Sequence, residues 1–577
     1  MKFTSALCSG GKKINFFHIT TPIFYPNAKP HLGHLYTGLL SDVRGRWSKL
    51  NQVNTKFITG TDEHGLKIQN AALKAHVTPQ KFVDNLCLEF KKLDSKGWID
   101  YTRFIRTTDT DHIQNVIELW KKCFAKGFIY KGQHKGWYSI SDETFYPESQ
   151  VVEVLPNGKE IPLNKSEVFD QDNITNRSFI NTESRNKVVY QSEINYFFKL
   201  SEFKCKLIDY IRFENPDFIK PEMRKEQILK ELESSKELQD LSISRPAARL
   251  TWAIEVPNDP SQKIYVWFDA LCNYITSIGS VQSLTKNEGD PINIKWWENT
   301  THVIGKDIIK FHAIYWPAFL MAAGLPLPKQ IYVHGHWLSN GVKMSKSLGN
   351  VVDPIAMIDY YGVDPVRWYI LENSCLEADG DFIESQLWQT RELLVSKWGN
   401  LITRCCSPKF DLKRAVGKFS GNTDNNSSIF LELCSRYLEK DLAPTYTKLL
   451  NDLEVLPALM DNYITNFNMQ QALKLLWSIL NDTNTFIQTT EPWKCKDNQD
   501  KQDLIIYLAV EVSRILSILS QPVIPQLSAQ FLDRIKVSPE RRGLEYAALG
   551  KDDNYGVACN KKGAMPITRI PIREKHL

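Results

Sequence analysis

The stretch INFFHITTPIFY, residues 14–25, carries Ile14, Phe16, Phe17 and Ile19 ahead of a proline, and predicts a buried strand followed by an irregular turn. From His31 onward the apolar positions are Leu32, Leu35, Tyr36, Leu39, Leu40, Val43, Trp47 and Leu50. Gaps of three and four trace one face of a helix. KFITG (56–60) predicts a short strand ending at TDEHG, and 111–126 predicts a second helix. The same texture returns near residue 250. KIYVWFDALCNYI reads as a strand running into a helix. THVIGKDIIKFHAIYWPAFLMAAG reads as a strand at 301–304, a glycine turn and a helix from Asp307, and KQIYVHGHWLSNGVKMSKS as a further strand, an Asn340-Gly341 turn and a basic loop. Repeated strand–turn–helix units predict an α/β fold with a doubly wound parallel sheet, whose ligands bind beyond the C-terminal ends of its strands.

Between these two α/β stretches the pattern changes. GWYSISDETFYPESQVVEV alternates and turns like a small β-rich module, and residues 156–190 are polar and poor in apolar positions, which predicts a flexible insertion. One sheet is thus interrupted by an inserted module. After about residue 385 the periodicity is almost purely helical, with long amphipathic stretches near 385–405, 427–450, 454–489 and 500–535. These predict an all-α bundle.

Composition narrows the class only modestly. The chain has 577 residues, 42% hydrophobic and 24% charged, enough for about three or four globular domains. A net charge of +5 and a pI near 8.4 are compatible with a nucleic-acid partner without pointing to one alone. Eleven scattered cysteines include no CxxC pair, which argues against a disulfide framework and a zinc knuckle and for a reducing compartment. No apolar run reaches the ~18 residues of a membrane span. The first acidic residue is Asp42, preceded by Lys2, Lys12, Lys13 and Lys29; this start is consistent with a mitochondrial presequence or with a short disordered tail.

Two short motifs carry chemistry. HLGH places His31 and His34 three apart at the mouth of a helix, with Gly33 between them. A zinc site, a structural pair of imidazoles and a phosphate site all fit these residue types. Zinc lacks thiolates and further ligands, whereas a helix N-terminus attracts phosphate, a bare glycine admits it, and two imidazoles can donate to its oxygens. The second motif is Lys343-Met344-Ser345-Lys346-Ser347. Its two ammonium groups can wrap a triphosphate and neutralise charge on a leaving pyrophosphate. A solvated basic loop is the alternative for this motif taken by itself.

Together, in this order and at the ends of a split α/β domain, HLGH and KMSKS resemble the paired signature elements of class I aminoacyl-tRNA synthetases. Leucyl-, isoleucyl- and valyl-type enzymes carry a large editing insertion in much longer chains. The strings TTPIFYPNAKPHLGHLY, FITGTDEHG, YVWFDAL, IGKDIIKFHAIYWPA and NGVKMSKSLGN resemble methionyl-tRNA synthetases specifically. The resemblance implies a Rossmann-type catalytic domain split into 1–129 and 245–340 by a connective module at 130–244. A KMSKS loop and stem-contact region follows at 341–384, then a helical anticodon-binding domain at 385–577. It implies a methionine pocket containing Ile23, Tyr25, Asp62, Trp267 and Ala270, together with Leu271, Tyr274, Ile308, His312 and Trp316. Aromatic rings suit a polarizable thioether, Tyr25 and His312 can each offer it a weak hydrogen bond, and Asp62 can hold the substrate ammonium. Leu271 stands where the family usually has proline. The implied ATP site comprises His31, Gly33, His34, Gly305, Asp307, Lys343 and Lys346, with Asp307 on a ribose hydroxyl. His31, His34, Lys343, Lys346 and Arg245 form the implied catalytic set, a surface salt bridge being the alternative for Arg245.

The resemblance further implies ATP with Mg2+ as substrate, and tRNA(Met) and L-methionine as partners. Asn400, Arg404 and Trp493 would read the anticodon, bases stacking on an aromatic ring; NLITR can equally serve to cap or pack a helix. The module lacks the cysteines that bind zinc in many relatives, which resembles the zinc-free subgroup that includes mitochondrial enzymes and implies no structural zinc. With the acid-free start, this favours the mitochondrial matrix over a bacterial cytoplasm. No counterpart of the dimerisation module of some relatives is recognised, which implies a monomer.

Overall fold

The computed structural model describes residues 16–139, 144–163, 169, 174, 176–234, 238–285, 288–344, 350–421, 427–495, 497–559 and 565–573. At its centre is a parallel sheet of six strands: β1 (Phe16–Thr20), β2 (Asn54–Thr61), β3 (Arg103–Arg106), β4 (Ile219–Lys220), β5 (Thr300–Gly305) and β6 (Gln330–His334). Their order is β4-β6-β5-β1-β2-β3, all neighbours parallel. From β1 the chain winds outward through β2 to β3, and from β5 it winds the other way to β6, so the winding reverses between β1 and β5. A crevice at such a reversal is where open α/β sheets bind ligands.

Side-chain alternation sends successive residues to opposite faces. Ile19, Phe57, Val303 and Tyr332 face one apolar core, while Ile304, Ile331 and Val333 face another. Helix α1 (Leu32–Leu50) covers the first face with Leu32, Leu35, Tyr36, Leu39, Leu40, Val43 and Trp47, all seven from the apolar stripe. Buried polar residues pair across the strands: His18 with Thr300 at 2.9 Å and Thr20 with His302 at 2.8 Å. Burial lowers the His18 pKa to about 3 and holds His302 well below the ordinary histidine range, so both rings are neutral.

Two segments lie elsewhere than their pattern suggests. Asp259–Ile264 leads into the Val266–Leu271 helix as expected, but it pairs antiparallel with Ser244–Pro246 and Glu255–Val256 in a sheet of its own. β4 belongs to the central sheet although it falls within 130–244. Alternation marks a strand without naming its partner, and a two-residue strand has no period to read. The β-rich module is an antiparallel sheet built around Ile129–Ser139 and Lys187–Phe198. Part of the polar stretch 156–190 also lies in it, as Glu160–Pro162, Ser178–Asn181 and the start of Lys187–Phe198. Its small core of Trp137, Val151, Phe169, Phe179 and Val188 needs few apolar residues, which is why composition there reads as unstructured.

Helix α2 (Val363–Glu372) connects to the C-terminal bundle, whose long members are α3 (Ala443–Thr465), α4 (Met469–Thr490), α5 (Gln499–Leu519) and α6 (Pro525–Arg534). Every residue of α5 from Gln502 onward is buried, which makes it the central rod of the bundle. The bundle's core is continuous with the one beneath α1. Leu412–Phe419 and Ser427–Tyr437 are further helices of the bundle, the first outside the predicted stretches.

Candidate active site

Helix α1 starts in the crevice, and its first turn settles what the two histidines of HLGH do locally. His31 is the N-cap, and its Nδ1 accepts the N–H of Gly33 at 3.1 Å. His34 reciprocates, its Nδ1 accepting the N–H of His31 at 3.0 Å. This is a capping box made of imidazoles. An accepting Nδ1 leaves the ring proton on Nε2, so the cap sets the tautomer of both rings and gives each an Nε2–H donor. Burial and the adjacent His31 hold His34 neutral. The structural role of this motif is therefore met through Nδ1 of each ring. The Gly33 N–H is occupied by the cap. A Cβ at Gly33 would meet His31 Cε1 at 3.0 Å, so any larger residue pushes that ring.

The opposite wall follows β5 and β6. Gly305 ends β5 with its Cα facing His334 and His336. Asp307 lies in the following turn, Lys306–Ile308, and pairs with His336, Nε2 to Oδ2 at 3.1 Å. Lys306 pairs with Asp379 at 2.7 Å. His334 lies 2.9 Å from the Thr37 hydroxyl of α1, which also donates to the Gly33 carbonyl, so the two walls are tied directly beneath the glycine. Lys343 follows the Asn340-Gly341 turn, whose positive φ values of 51° and 75° suit these residues. Lys346 lies outside the described residues.

The residues of the implied methionine pocket come from four chain segments and largely converge. Ile23 and Tyr25 flank Phe24, which bridges to Thr61 and whose carbonyl accepts the Asp62 N–H at 2.9 Å, so these residues share the ends of β1 and β2. Tyr25, Trp267, Leu271, Tyr274, Ile308 and Trp316 belong to one apolar cluster. Ala270 is buried on the same short helix as Trp267 and Leu271. The Trp267 ring stacks on Phe311 with centroids 3.6 Å apart. Tyr274 donates its hydroxyl to His312 Nε2 at 2.7 Å, and His312 Nδ1–H donates to the Ile308 carbonyl at 2.9 Å. Burial lowers His312 to a pKa of about 4, so the ring is neutral and both nitrogens are engaged. This arrangement leaves His312 without the spare donor expected for a thioether sulfur.

The TDEHG loop is anchored from behind. Asp269 accepts from His64 Nδ1 at 2.6 Å and from His112 Nε2 at 2.7 Å. Burial opposes its charge, but the two imidazoles outweigh it and hold the carboxyl below its usual range. Glu63 takes Arg106 Nε at 2.7 Å. Arg245 is only 4% exposed, which excludes the surface salt bridge: its guanidinium lies 4.5 Å from the Tyr265 ring centroid and donates to the Ser244 carbonyl at 2.7 Å. With Gly65 and Val266 it lines a small crevice beside the pocket segments. Phe311, His336, Thr37 and His334 were not singled out by the sequence. Only the Phe311 signal, an aromatic one position before His312, could have been read there.

In the bundle, Arg404 sits over the Trp493 ring at 5.3 Å, and Asn400 lies one turn before it at the start of the Asn400–Cys405 helix. The three residues thus share one surface. Among the described residues no group of three or more His, Cys, Asp or Glu could hold a metal ion, and no helix is long and apolar enough to cross a membrane.

Comparisons with known proteins agree with this geometry. A family model described as tRNA synthetases class I (M) matches residues 17–406, and one described as anticodon binding domain of methionyl tRNA ligase matches 439–549. The mitochondrial methionine–tRNA ligase of Saccharomyces cerevisiae is 55% identical over 96% of both chains, and that of Candida albicans 46% identical over 98% of this chain and 97% of its own. A crystal structure of Mycobacterium tuberculosis methionyl-tRNA synthetase bound by methionyl-adenylate superposes with a TM-score of 0.79 at 32% identity, covering 92% of this chain and 97% of that one. With a signature site at the sheet's point of reversal, an anticodon-type bundle and relatives of this similarity over nearly full length, the chain belongs to the methionyl-tRNA synthetase family of class I.

Proposed function

We propose that the chain is a methionine–tRNA ligase of the mitochondrial matrix. It activates methionine with ATP to methionyl-adenylate and transfers the methionyl group to the 3′-terminal adenosine of tRNA(Met). The observation that carries the reading is the imidazole capping box at the crevice where the sheet reverses, in which each Nδ1 accepts a backbone N–H and the ring proton lies on Nε2. The methionine carboxylate attacks the α-phosphate in line, the P–O bond to pyrophosphate breaks, and charge grows on the phosphate oxygens that the Nε2–H groups meet. Asp62 holds the ammonium, Trp267, Tyr274 and Trp316 with their neighbours enclose the thioether, and Asp307 takes a ribose hydroxyl. Lys343 and Lys346 neutralise the leaving pyrophosphate, and Arg245 supports the reaction centre. In the second step the 2′-hydroxyl of the terminal adenosine attacks the carbonyl and releases AMP. Asn400, Arg404 and Trp493 read the anticodon.

ATP arrives as its magnesium complex, the metal offsetting phosphate charge. One chain contributes every group named, so a monomer carries a complete site. The relatives named as mitochondrial enzymes support the compartment.

The test is amino-acid-dependent ATP–pyrophosphate exchange with methionine, leucine, isoleucine, valine and cysteine. Exchange with methionine alone is expected. Exchange with another amino acid would overturn the pocket, and none with any would overturn the activity.

A further inference from the structure

We infer that Trp47 and Arg367 are positioning residues for tRNA charging: they lock helix α1, with its two imidazoles, to the bundle that holds tRNA, so that the bundle's tRNA-bound state reaches the reaction centre through that helix. The inference rests on the reading that Trp493 and Arg404 meet the anticodon.

Arg367 of α2 is fully buried, and its one guanidinium joins three parts of the molecule. Nη2 donates to Asp42 Oδ2 of α1 at 2.6 Å and to the Pro522 carbonyl at 2.8 Å, Nε to the Val523 carbonyl at 2.7 Å, and Nη1 to the Gly97 carbonyl at 2.8 Å. Pro522 and Val523 form the turn between α5 and α6. Asp42 is satisfied further by Arg46 Nε at 2.9 Å and by the Asp100 N–H at 2.8 Å. A buried guanidinium whose Nε, Nη1 and Nη2 all donate holds its partners together, because a partial movement leaves a charge or carbonyl unpaired.

The second tie is at the other end of α1. Trp47 Nε1–H donates to Asp461 Oδ1 of α3 at 2.8 Å. Nearby, Phe467 in the turn between α3 and α4 lies 4.3 Å, ring to ring, from Tyr332 of β6. β6 ends at His334, which contacts Thr37 of α1. The bundle corner therefore touches both walls of the crevice. From that corner α4 runs 22 residues, about 33 Å, and is followed at once by Trp493. Helix α1 runs 19 residues, about 28 Å, from the same corner back to His31. The corner hydrogen bond joins α1 to α3, and α4 leaves from the turn that ends α3, so α1, α3 and α4 in series connect the two ends of the bound tRNA. Proximity along such a chain is not itself coupling, so the experiment measures coupling.

Trp47→Phe keeps an aromatic ring in the core while removing the Nε1–H donor together with part of the indole volume. The full-length protein is assayed for methionine-dependent ATP–pyrophosphate exchange without tRNA, and for kcat and KM of charging with tRNA(Met) transcript. It is assayed alone and combined with Trp493→Ala. Exchange within about twofold of the parent and a charging kcat lowered about tenfold are expected. The double variant should lose little more than the worse single variant, because the corner has nothing left to transmit. Equal loss of exchange and charging, or single losses that multiply in the double variant, would overturn the inference and leave Trp47 a packing residue. Arg367→Lys repeats the test at the hub; where it fails to fold, Trp47→Phe decides alone. If Trp493→Ala charges native tRNA normally, the anticodon assignment fails, and the corner is then judged by the split between exchange and charging in Trp47→Phe.

Discussion

His34→Ala separates the two jobs the capping box gives one ring. In stability, the variant loses the acceptor for the His31 N–H, a capping term of about 1 kcal/mol. It also loses the ring's edge contacts to Phe24 at 4.8 Å and Phe90 at 5.1 Å, another ~1 kcal/mol for aromatic pairs at a half-buried position. In catalysis it loses the Nε2–H aimed at developing phosphate charge, and removing one such donor costs about 2.7–4 kcal/mol, or 10²–10³ in rate. The urea midpoint and the pyrophosphate-exchange rate, measured on the same sample, read the two terms separately. His34→Asn completes the comparison. Its Oδ1 can still accept the His31 N–H, so most of the capping stability should return, while the shorter side chain cannot place a donor where Nε2 was. The expected pattern is a modest midpoint shift for Ala, a smaller one for Asn, and exchange lowered by about two orders of magnitude in both. Exchange restored to near the parent rate by Asn, or lowered in Ala only as far as the folded fraction falls, would refute the tautomer argument and return His34 to a purely structural role.

Three further outcomes follow from the same geometry. Trp493→Ala should raise the KM for tRNA by the ~1–3 kcal/mol of one stacked base while leaving exchange intact, and equal loss of both would make Trp493 a packing residue. Tyr274→Phe leaves buried His312 Nε2 without its donor; a cost of about 1–3 kcal/mol in stability and a raised KM for methionine are expected, checked by denaturation and by exchange against methionine concentration. Acidification from pH 6.5 to 4 should destabilise the protein. Burial lowers His18 to about 3 and His312 and His334 to about 4, so in this window the unfolded chain takes up protons that the folded chain refuses, and stability present above pH 6.5 is lost as pH falls. Burial raises Asp94 to about 8 and Asp364 to about 6, which works the other way in the same window, but three histidines outnumber two carboxyls. A urea midpoint that rises between pH 6.5 and 4 would contradict these burial assignments.

Much of the fold was legible where one physical rule acts alone. The stripe from Leu32 to Leu50 is helical because its apolar spacing leaves no other element, and α1 has those limits. Legibility ended where two rules compete. The stretch 454–489 reads as one helix, but the chain breaks at Phe467, which adopts φ 58° with neither glycine nor proline beside it. Pro457, the residue expected to break a helix, lies inside α3. Packing of Phe467 on Tyr332 holds this corner, and a long-range contact leaves no trace in local propensity. β4 is hidden for a related reason: Ile219 and Lys220 form a strand only because β6 is beside them.

The site divides along the same line. Residue types were readable because phosphate, ammonium and thioether chemistry each demand particular groups, and the strand ends place most of them together. What each nitrogen does was not readable. Residue identity allows His31 and His34 to be caps or phosphate donors, and only the positions of the Gly33 and His31 N–H groups show that Nδ1 of each ring is the capping atom. His312 shows the converse. Its type permits a hydrogen bond to sulfur, yet the Ile308 carbonyl and the Tyr274 hydroxyl use both nitrogens. In both cases a second partner, set by the fold and distant or silent in the sequence, determines what each ring nitrogen is bonded to.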